Sequence, residues 1–443
     1  MSSLLNSLYF PSKYLCFSHG AYQVVLNADN CRSRKFLKDE YAYFNKLLLL
    51  KQDSTRGAAV QWAAEMPDAI AFVKQMIVSG MVSMKPFIEN KHNEVHGKPL
   101  AAYWGVSLTC NFRCRYCYAD CGAPVKETPQ TYLTPQENQR VIDKIADHGF
   151  REITFTGGEP LLNKDLFDMA AYAKKKGLLV GLLSNGSLIR NHAVEKFETF
   201  DYVKLSLDSM REEENDYLRG RGSYHLIVDA IEHLRSHNID THIGTVLTRV
   251  NKDSIKELIN ELYTTYNIKR HTIANFSPLG NGAACADNLE CTPEETRKND
   301  ALILETKLKL SKRDVHSVLN DNALPEGRQV CCGMGISEIF INERGDVYPC
   351  RMTYSNEYYL GNILTCSMST IQKNVERITN DLTVDSIESC KVCNYKYVCG
   401  GGCRMYHCAY TGSIYKSHPP LCDTLKWQLE SLLLLKHGVY NNG

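Results

Sequence analysis

The chain has almost no net charge, because 51 Lys and Arg stand against 50 Asp and Glu. That balance, together with the want of any basic run interleaved with aromatics, excludes the electrostatic footprint of a nucleic-acid binder. Long hydrophobic runs are missing as well. No stretch approaches the roughly 18 consecutive apolar residues that a membrane helix requires, so no membrane partner is expected. Met1 to Phe10 carries no Lys or Arg ahead of its apolar residues, unlike a secretory signal, and a cytoplasmic location is expected. Internal repeats and low-complexity tracts are absent too. What remains is ordinary globular composition, 44% hydrophobic and 23% charged over 443 residues, in a chain long enough for two or three domains.

Cysteine is what the chain has in excess, with 18 residues. In a large chain without a secretory start, that number points to metal or redox chemistry more than to a disulfide scaffold. The cysteines are unevenly placed. Residues 14 to 28 read as extended, since Tyr22, Val24 and Leu26 alternate, and two apolar-periodic segments follow near Phe36 to Leu50 and Ala69 to Met81. In the second, Ala69, Ile70, Val73, Met76 and Ile77 share one helical face, with Pro67-Asp68 as a start and Gly80 as a stop. Residues 1–90 therefore form a strand-then-helices module, and the polar segment Glu89 to Pro99 reads as a linker.

Over residues 100–310, short apolar runs recur between helix-like segments: Tyr103 to Leu108, Ile153 to Thr156, Leu179 to Ser184, Tyr202 to Leu207, His242 to Leu247 and Thr272 to Phe276. This alternation predicts an α/β unit with a parallel, barrel-like sheet whose functional residues lie at the strand C-termini. A charged helix follows over Glu294 to Lys312. Residues 320–443, rich in Gly and Cys from Cys331 to Cys422, read as a separate domain.

The segment Cys110-Asn-Phe-Arg-Cys114-Arg-Tyr-Cys117 follows the first of these strands. Thiolates hold iron–sulfur clusters, normally one per iron of a 4Fe-4S cube, so three thiols leave one iron open. An open position marks a reactive metal centre rather than a structural one. A zinc loop and buried core thiols are the competing readings of the three cysteines taken alone. Thr156-Gly157-Gly158-Glu159-Pro160 closes the second strand, where the glycines let backbone approach a ligand and Pro160 fixes the exit. Ser184-Asn185-Gly186 closes the third and Ser206-Leu207-Asp208 the fourth. Each of these also reads as an ordinary turn or cap.

The spacing of the three cysteines, with Tyr116 just before the last, resembles the signature of radical S-adenosylmethionine (SAM) enzymes. The resemblance implies a partial (β/α)6 barrel holding a 4Fe-4S cluster on Cys110, Cys114 and Cys117. It implies SAM contacts from Tyr116, Gly157, Gly158, Glu159, Ser184, Asn185, Ser206, Asp208 and Arg219, with Arg221 close enough to Arg219 to compete for the same role. It further implies reductive cleavage of SAM to a 5′-deoxyadenosyl radical that takes a hydrogen atom from substrate. Further along, Cys332, Cys350, Cys390-x-x-Cys393, Cys399, Cys403 and Cys422 suit tight metal-binding turns, with a zinc ribbon as the competitor. Their order, with Tyr359-Leu-Gly-Asn-Ile after the second, resembles the SPASM extension of peptide-modifying radical SAM enzymes.

By that resemblance the extension carries two auxiliary 4Fe-4S clusters, one on Cys332, Cys350 and Cys403 and one on Cys390, Cys393, Cys399 and Cys422. The first lacks an obvious fourth ligand; an open iron there suits a substrate thiolate and thioether formation. Sulfatase-maturing members place an Asp after the cysteine equivalent to Cys350, and this chain has Arg351, which argues against that substrate. Cys16, Cys31 and Cys121 have no metal spacing and read as buried or incidental thiols. Residues 1–90 resemble the winged-helix peptide-recognition modules of such enzymes, in which a leader peptide adds as a strand.

The expected protein is thus a maturase of a precursor peptide with a leader sequence, served by a one-electron donor such as a flavodoxin or ferredoxin. Cys-to-carbon thioether crosslinking is the leading chemistry, with carbon–carbon crosslinking or Cα epimerisation as alternatives. A non-catalytic iron–sulfur or zinc scaffold is the reading from a different class.

Overall fold

The structure is a computed structural model that describes residues 8–11, 13–52, 68–85, 101–119, 121, 132–312, 328–353 and 355–439. The expected linker over Glu89 to Pro99 lies outside the described residues.

The first module is a three-stranded antiparallel sheet, β1 (Tyr14–His19), β2 (Tyr22–Asn27) and β3 (Ser33–Leu37), with two helices, α1 (Lys38–Gln52) and α2 (Ala69–Val78). The single extended run read over 14 to 28 is a hairpin, because Gly20 turns the chain at φ +58°, a conformation glycine adopts without a Cβ penalty. The face of α2 is also rotated from the one expected. Ala69, Phe72, Val73 and Met76 are buried against Val25, Phe36, Phe44 and Leu47, whereas Ile70 is 52% exposed. Phe72 carries more apolar area than Ile70, and burying it orients the helix.

The central unit is built as the alternation predicts. Strands β4 (Ala101–Ser107), β5 (Glu152–Gly157), β6 (Leu179–Ser184), β7 (Tyr202–Ser206), β8 (Thr241–Leu247) and β9 (His271–Asn275) pair in parallel in chain order. The intervening helices include α3 (Pro135–Asp147), α4 (Leu166–Lys175), α5 (Glu212–Arg219), α6 (Ser223–Ser236) and α7 (Ile255–Thr264). Thr134 opens α3 with a capping box completed by Glu137, satisfying N–H groups that the helix leaves unpaired. Alternate strand residues such as Val203 and Leu205 are fully buried toward the helices. The other set faces the inside of the curved sheet.

After α8 (Pro293–Leu310) come β10 (Glu338–Ile341), β11 (Asp346–Tyr348) and β12 (Gly361–Asn362). These extend the same sheet, because β10 pairs in parallel with β4, Phe340 opposite Tyr103. The C-terminal region therefore shares backbone hydrogen bonds with the barrel strands, where the sequence reading expects a separate unit. The outer edge of β4 exposes unpaired N–H and C=O groups, and β10 covers them. The chain ends with α9 (Met368–Thr379), α10 (Arg404–Thr411) and α11 (Pro419–Lys436). The N-terminal sheet packs on this end: Leu15, Leu26 and Cys31 share a core with Val384, Ile387, Tyr397, Val398 and Leu433. No helix among the described residues is long and apolar enough to cross a membrane.

Candidate active site

Every βα connection that carries a motif opens at the C-terminal ends of the parallel strands, where this architecture places its sites. There the loop after β4 folds over a cavity of about 360 Å³ lined by the three thiols of Cys110, Cys114 and Cys117. Two backbone anchors hold the loop. Arg115 donates its N–H to the Leu218 carbonyl at 2.9 Å and its Nε to the Tyr217 carbonyl at 2.8 Å. On the other side the Asn281 N–H donates to the Cys117 carbonyl at 2.9 Å, and any Cβ at Gly280 would meet that oxygen at 2.5 Å.

Gly157 and Gly158 line the same cavity. Neither position has room for a side chain: a Cβ on Gly157 would lie 2.3 Å from the Ser107 carbonyl, and one on Gly158 2.3 Å from that of Thr109. The motif therefore packs its backbone directly against the cysteine loop. Tyr116, Ser184, Asn185, Ser206 and Arg219 also line the cavity. Asn185 ties β6 to the loop, donating its Nδ2 to Asn111 Oδ1 at 2.9 Å and to Cys110 Sγ at 3.7 Å.

Two residues expected at the cofactor stand behind the lining instead. Glu159 is fully buried, and its carboxylate accepts from Ser184 Oγ at 2.8 Å, Asn185 N at 2.8 Å and Leu161 N at 3.1 Å. Burial pushes its carboxyl up to about 7, against those three hydrogen bonds. Asp208 is likewise fully buried. It pairs with Arg219 Nε at 2.7 Å, accepts the Val246 N–H at 2.9 Å and accepts the Tyr116 hydroxyl. Both carboxylates are occupied by neighbours, so they orient the lining rather than present themselves to a ligand.

The cavity also has walls that the motifs do not signal. Lys204, Arg351 and Cys121 line it, and Cys121 is buried there, as its reading allows. The signal for Lys204 was available: it lies two residues before Ser206, on the same face of β7. Arg351 comes from the far C-terminal region, and only the pairing of β10 with β4 brings it there.

The second cysteine field divides in two. Cys390, Cys393, Cys399 and Cys422 together line another cavity, of about 410 Å³. Among the described residues no three His, Cys, Asp or Glu converge on a point that a single metal ion would fill. Four thiols around so large a space fit a cluster better than one tetrahedral zinc. Elsewhere Cys403 lies close enough to Cys332 and Cys350 to influence both thiols, and Cys331 influences Cys332 as well. Gly400, Gly401 and Gly402, all at positive φ, turn the chain between Cys399 of one set and Cys403 of the other. Arg404 is fully buried beside both sets, donating Nε to the Ile414 carbonyl at 2.6 Å and Nη1 to that of Gly401 at 2.8 Å.

Comparison with known proteins agrees with this geometry. Residues 105–262 match the radical SAM superfamily, and residues 331–394 match SPASM, an iron–sulfur cluster-binding domain. The chain is a radical SAM superfamily enzyme that carries a SPASM domain. Such an enzyme binds a 4Fe-4S cluster and SAM in the first domain and auxiliary iron–sulfur clusters in the second. Among its relatives, the mycofactocin maturase MftC of Mycolicibacterium smegmatis is 28% identical over 312 residues, 69% of this chain and 78% of that protein. The AdoMet-dependent heme synthase of Nitratidesulfovibrio vulgaris is 27% identical over 342 residues, 72% of this chain and 91% of that one.

Two solved structures share the fold. Native anSMEcpe with bound AdoMet superposes with a TM-score of 0.60 at 18% identity, over 77% of this chain and 99% of that one. Streptococcus suis SuiB bound to precursor peptide SuiA superposes with a TM-score of 0.57 at 14% identity, over 93% and 98%.

Proposed function

We propose that this enzyme matures a ribosomally synthesised precursor peptide, joining a Cys thiol of the peptide to a carbon of another residue. Cys110, Cys114 and Cys117 would hold the SAM-binding cluster, and Tyr116, the Gly157-Gly158 backbone, Ser184, Asn185, Ser206 and Arg219 would surround SAM. Cys332, Cys350 and Cys403 would hold the first auxiliary cluster, and Cys390, Cys393, Cys399 and Cys422 the second. The bound group supplies one-electron chemistry that removes a hydrogen atom from a carbon of the substrate.

The chain's own residues position and enclose. Glu159 and Asp208 fix the lining, and the segment at Gly280 packs against the Cys117 loop. Thioether formation releases a proton from the peptide thiol and one electron, equal to the electron that a reduced flavodoxin or ferredoxin donates at the start. Overall, one SAM becomes methionine and 5′-deoxyadenosine for each bond made.

The reading is carried by the expected set of Cys332, Cys350 and Cys403, of which Cys332 and Cys403 are exposed. Three thiols leave room for a fourth from the substrate. Support for a peptide comes from the fold shared with SuiB, which is seen with a precursor peptide, and from a three-stranded sheet whose β1 and β3 are edge strands among the described residues. A leader strand can add to such an edge. Residues 1–90 are the recognition module in this reading.

The test is anaerobic co-expression with a candidate peptide encoded beside the gene, followed by mass spectrometry and thiol alkylation. Loss of two hydrogens per site with loss of alkylatable thiols is expected. The same mass loss with thiols intact would mean carbon–carbon crosslinking, and one solvent deuterium without mass loss would mean epimerisation. A second reading, modification of a tetrapyrrole, draws on the likeness to heme synthases. A porphyrin consumed in place of the peptide would establish it.

A further inference from the structure

The cavity continues below the SAM-facing residues and ends on two cations. Lys204 lies two residues before Ser206 on β7, so it points to the same face, about 6 to 7 Å deeper along the strand. Gly244 on neighbouring β8 makes room for it, since a Cβ there would lie 3.0 Å from Lys204 Cε. Arg351 enters from the C-terminal region and lays its guanidinium 5.2 Å from the centre of the Tyr103 ring, another inward position, on β4. Both line the one cavity and feel each other's charge: burial, and then Arg351, push the Lys204 ammonium down to about 8.

Among the described residues no carboxylate lies within 4.0 Å of either cation, and neither donates a hydrogen bond. Tyr118, Tyr103, Glu338 and Cys350 influence Arg351 without forming such a pair. His271, which also feels Lys204, is held neutral by burial and bonds Thr245 Oγ1 at 2.8 Å. A largely buried ammonium facing a guanidinium is costly unless a ligand supplies negative charge between them.

We propose that Lys204 and Arg351 form a receptor for a carboxylate of the substrate, seating it at the floor of the cavity beneath the SAM site. The proposal rests on the peptide reading above, in which a carboxylate comes from an Asp or Glu side chain or from a C-terminus. Arg351 offers a planar fork that matches a carboxylate, and Lys204 a point charge facing it. The receptor also gives a physical reason for Arg at position 351, where a basic carboxylate would instead neutralise Lys204.

The test is ligand-observed NMR on the cluster-reconstituted enzyme with saturating SAM, using three probes. N-acetyl-glutamic acid α-amide presents a side-chain carboxylate, N-acetyl-glutamine a C-terminal one, and N-acetyl-glutaminamide neither. One of the first two is expected to bind at least about tenfold tighter than the third, and which one identifies the source. K204Q and R351Q should each abolish that preference, while K204R and R351K retain it. Visible absorption matching wild type shows that the cluster beside Arg351 is intact in each variant. Equal binding of all three probes, or of none, overturns the receptor, as does a preference that survives both K204Q and R351Q. A carboxylate preference that holds while no peptide changes mass supports the receptor and counts only against peptide maturation.

Discussion

Asp208 and Arg219 form an ion pair at 2.7 Å, with the carboxylate fully shielded from solvent and the guanidinium nearly so. From that pair Asp208 reaches the Tyr116 hydroxyl in the cysteine loop and the Val246 N–H at the end of β8. A single carboxylate thus joins the cluster loop, β8 and the arginine that lines the cavity.

Asp208→Ala should therefore do more than weaken one contact. Removing one partner of a buried pair leaves the other charge uncompensated, at a cost of about 3 to 5 kcal/mol. Thermal unfolding should show this loss. SAM affinity, measured by equilibrium dialysis on the reconstituted enzyme, should fall by at least about tenfold. Unchanged affinity with lowered stability would confine Asp208 to a structural role.

Glu159 makes a sharper prediction because its three donors leave no place for an amide N–H. Glu159→Gln should destabilise the enzyme by about 1 to 3 kcal/mol. A pH effect accompanies it. The folded carboxyl, raised to about 7, keeps a proton that the unfolded chain releases above about 4.3. Stability from this group is thus full below that value and declines as pH rises toward 7. Glu159→Gln should flatten the decline in denaturant titrations run across that range.

His271 acts with the opposite sign. Burial depresses its pKa well below the ordinary value, so the unfolded chain takes up a proton that the folded one refuses. Stability should fall as pH drops below about 6.5. His271→Asn should lessen this acid sensitivity. An identical acid limb in the variant would assign it to other groups.

Iron content tests the division of the cysteines. With three cubes the reconstituted enzyme holds about 12 irons. Combined replacement of Cys110, Cys114 and Cys117 should remove about four irons and leave the auxiliary spectra in place. Combined replacement of Cys390, Cys393, Cys399 and Cys422 should remove a different four and leave SAM binding in place. If both variants lose all iron, the sets are not independent sites.

Much of this was legible in the chain because the signals were local. The six parallel strands announced themselves as apolar runs, and motifs at their ends fell where the barrel opens. The set of Cys390, Cys393, Cys399 and Cys422 came from the resemblance to the SPASM extension, and these four line one cavity. What escaped depended on long-range pairing. Local pattern around Arg351 does not show that it faces the barrel; the resemblance marks the position, and the parallel contact of β10 with β4 takes it there. Glu159 and Asp208, read as cofactor contacts, are buried behind the residues that line the cavity. A motif gives the position of a carboxylate, and the donors that occupy it come from other strands.

The central claim is that a hydrogen atom leaves a peptide carbon in the cavity above Lys204. Its most direct measurement uses a perdeuterated candidate peptide with reduced, reconstituted enzyme and SAM, followed by mass analysis of the 5′-deoxyadenosine released. Deuterium in that product, together with a peptide lighter by one carbon-bound deuterium and one thiol hydrogen per bond, is the predicted result. Deuterium-free 5′-deoxyadenosine beside an unaltered peptide would contradict it.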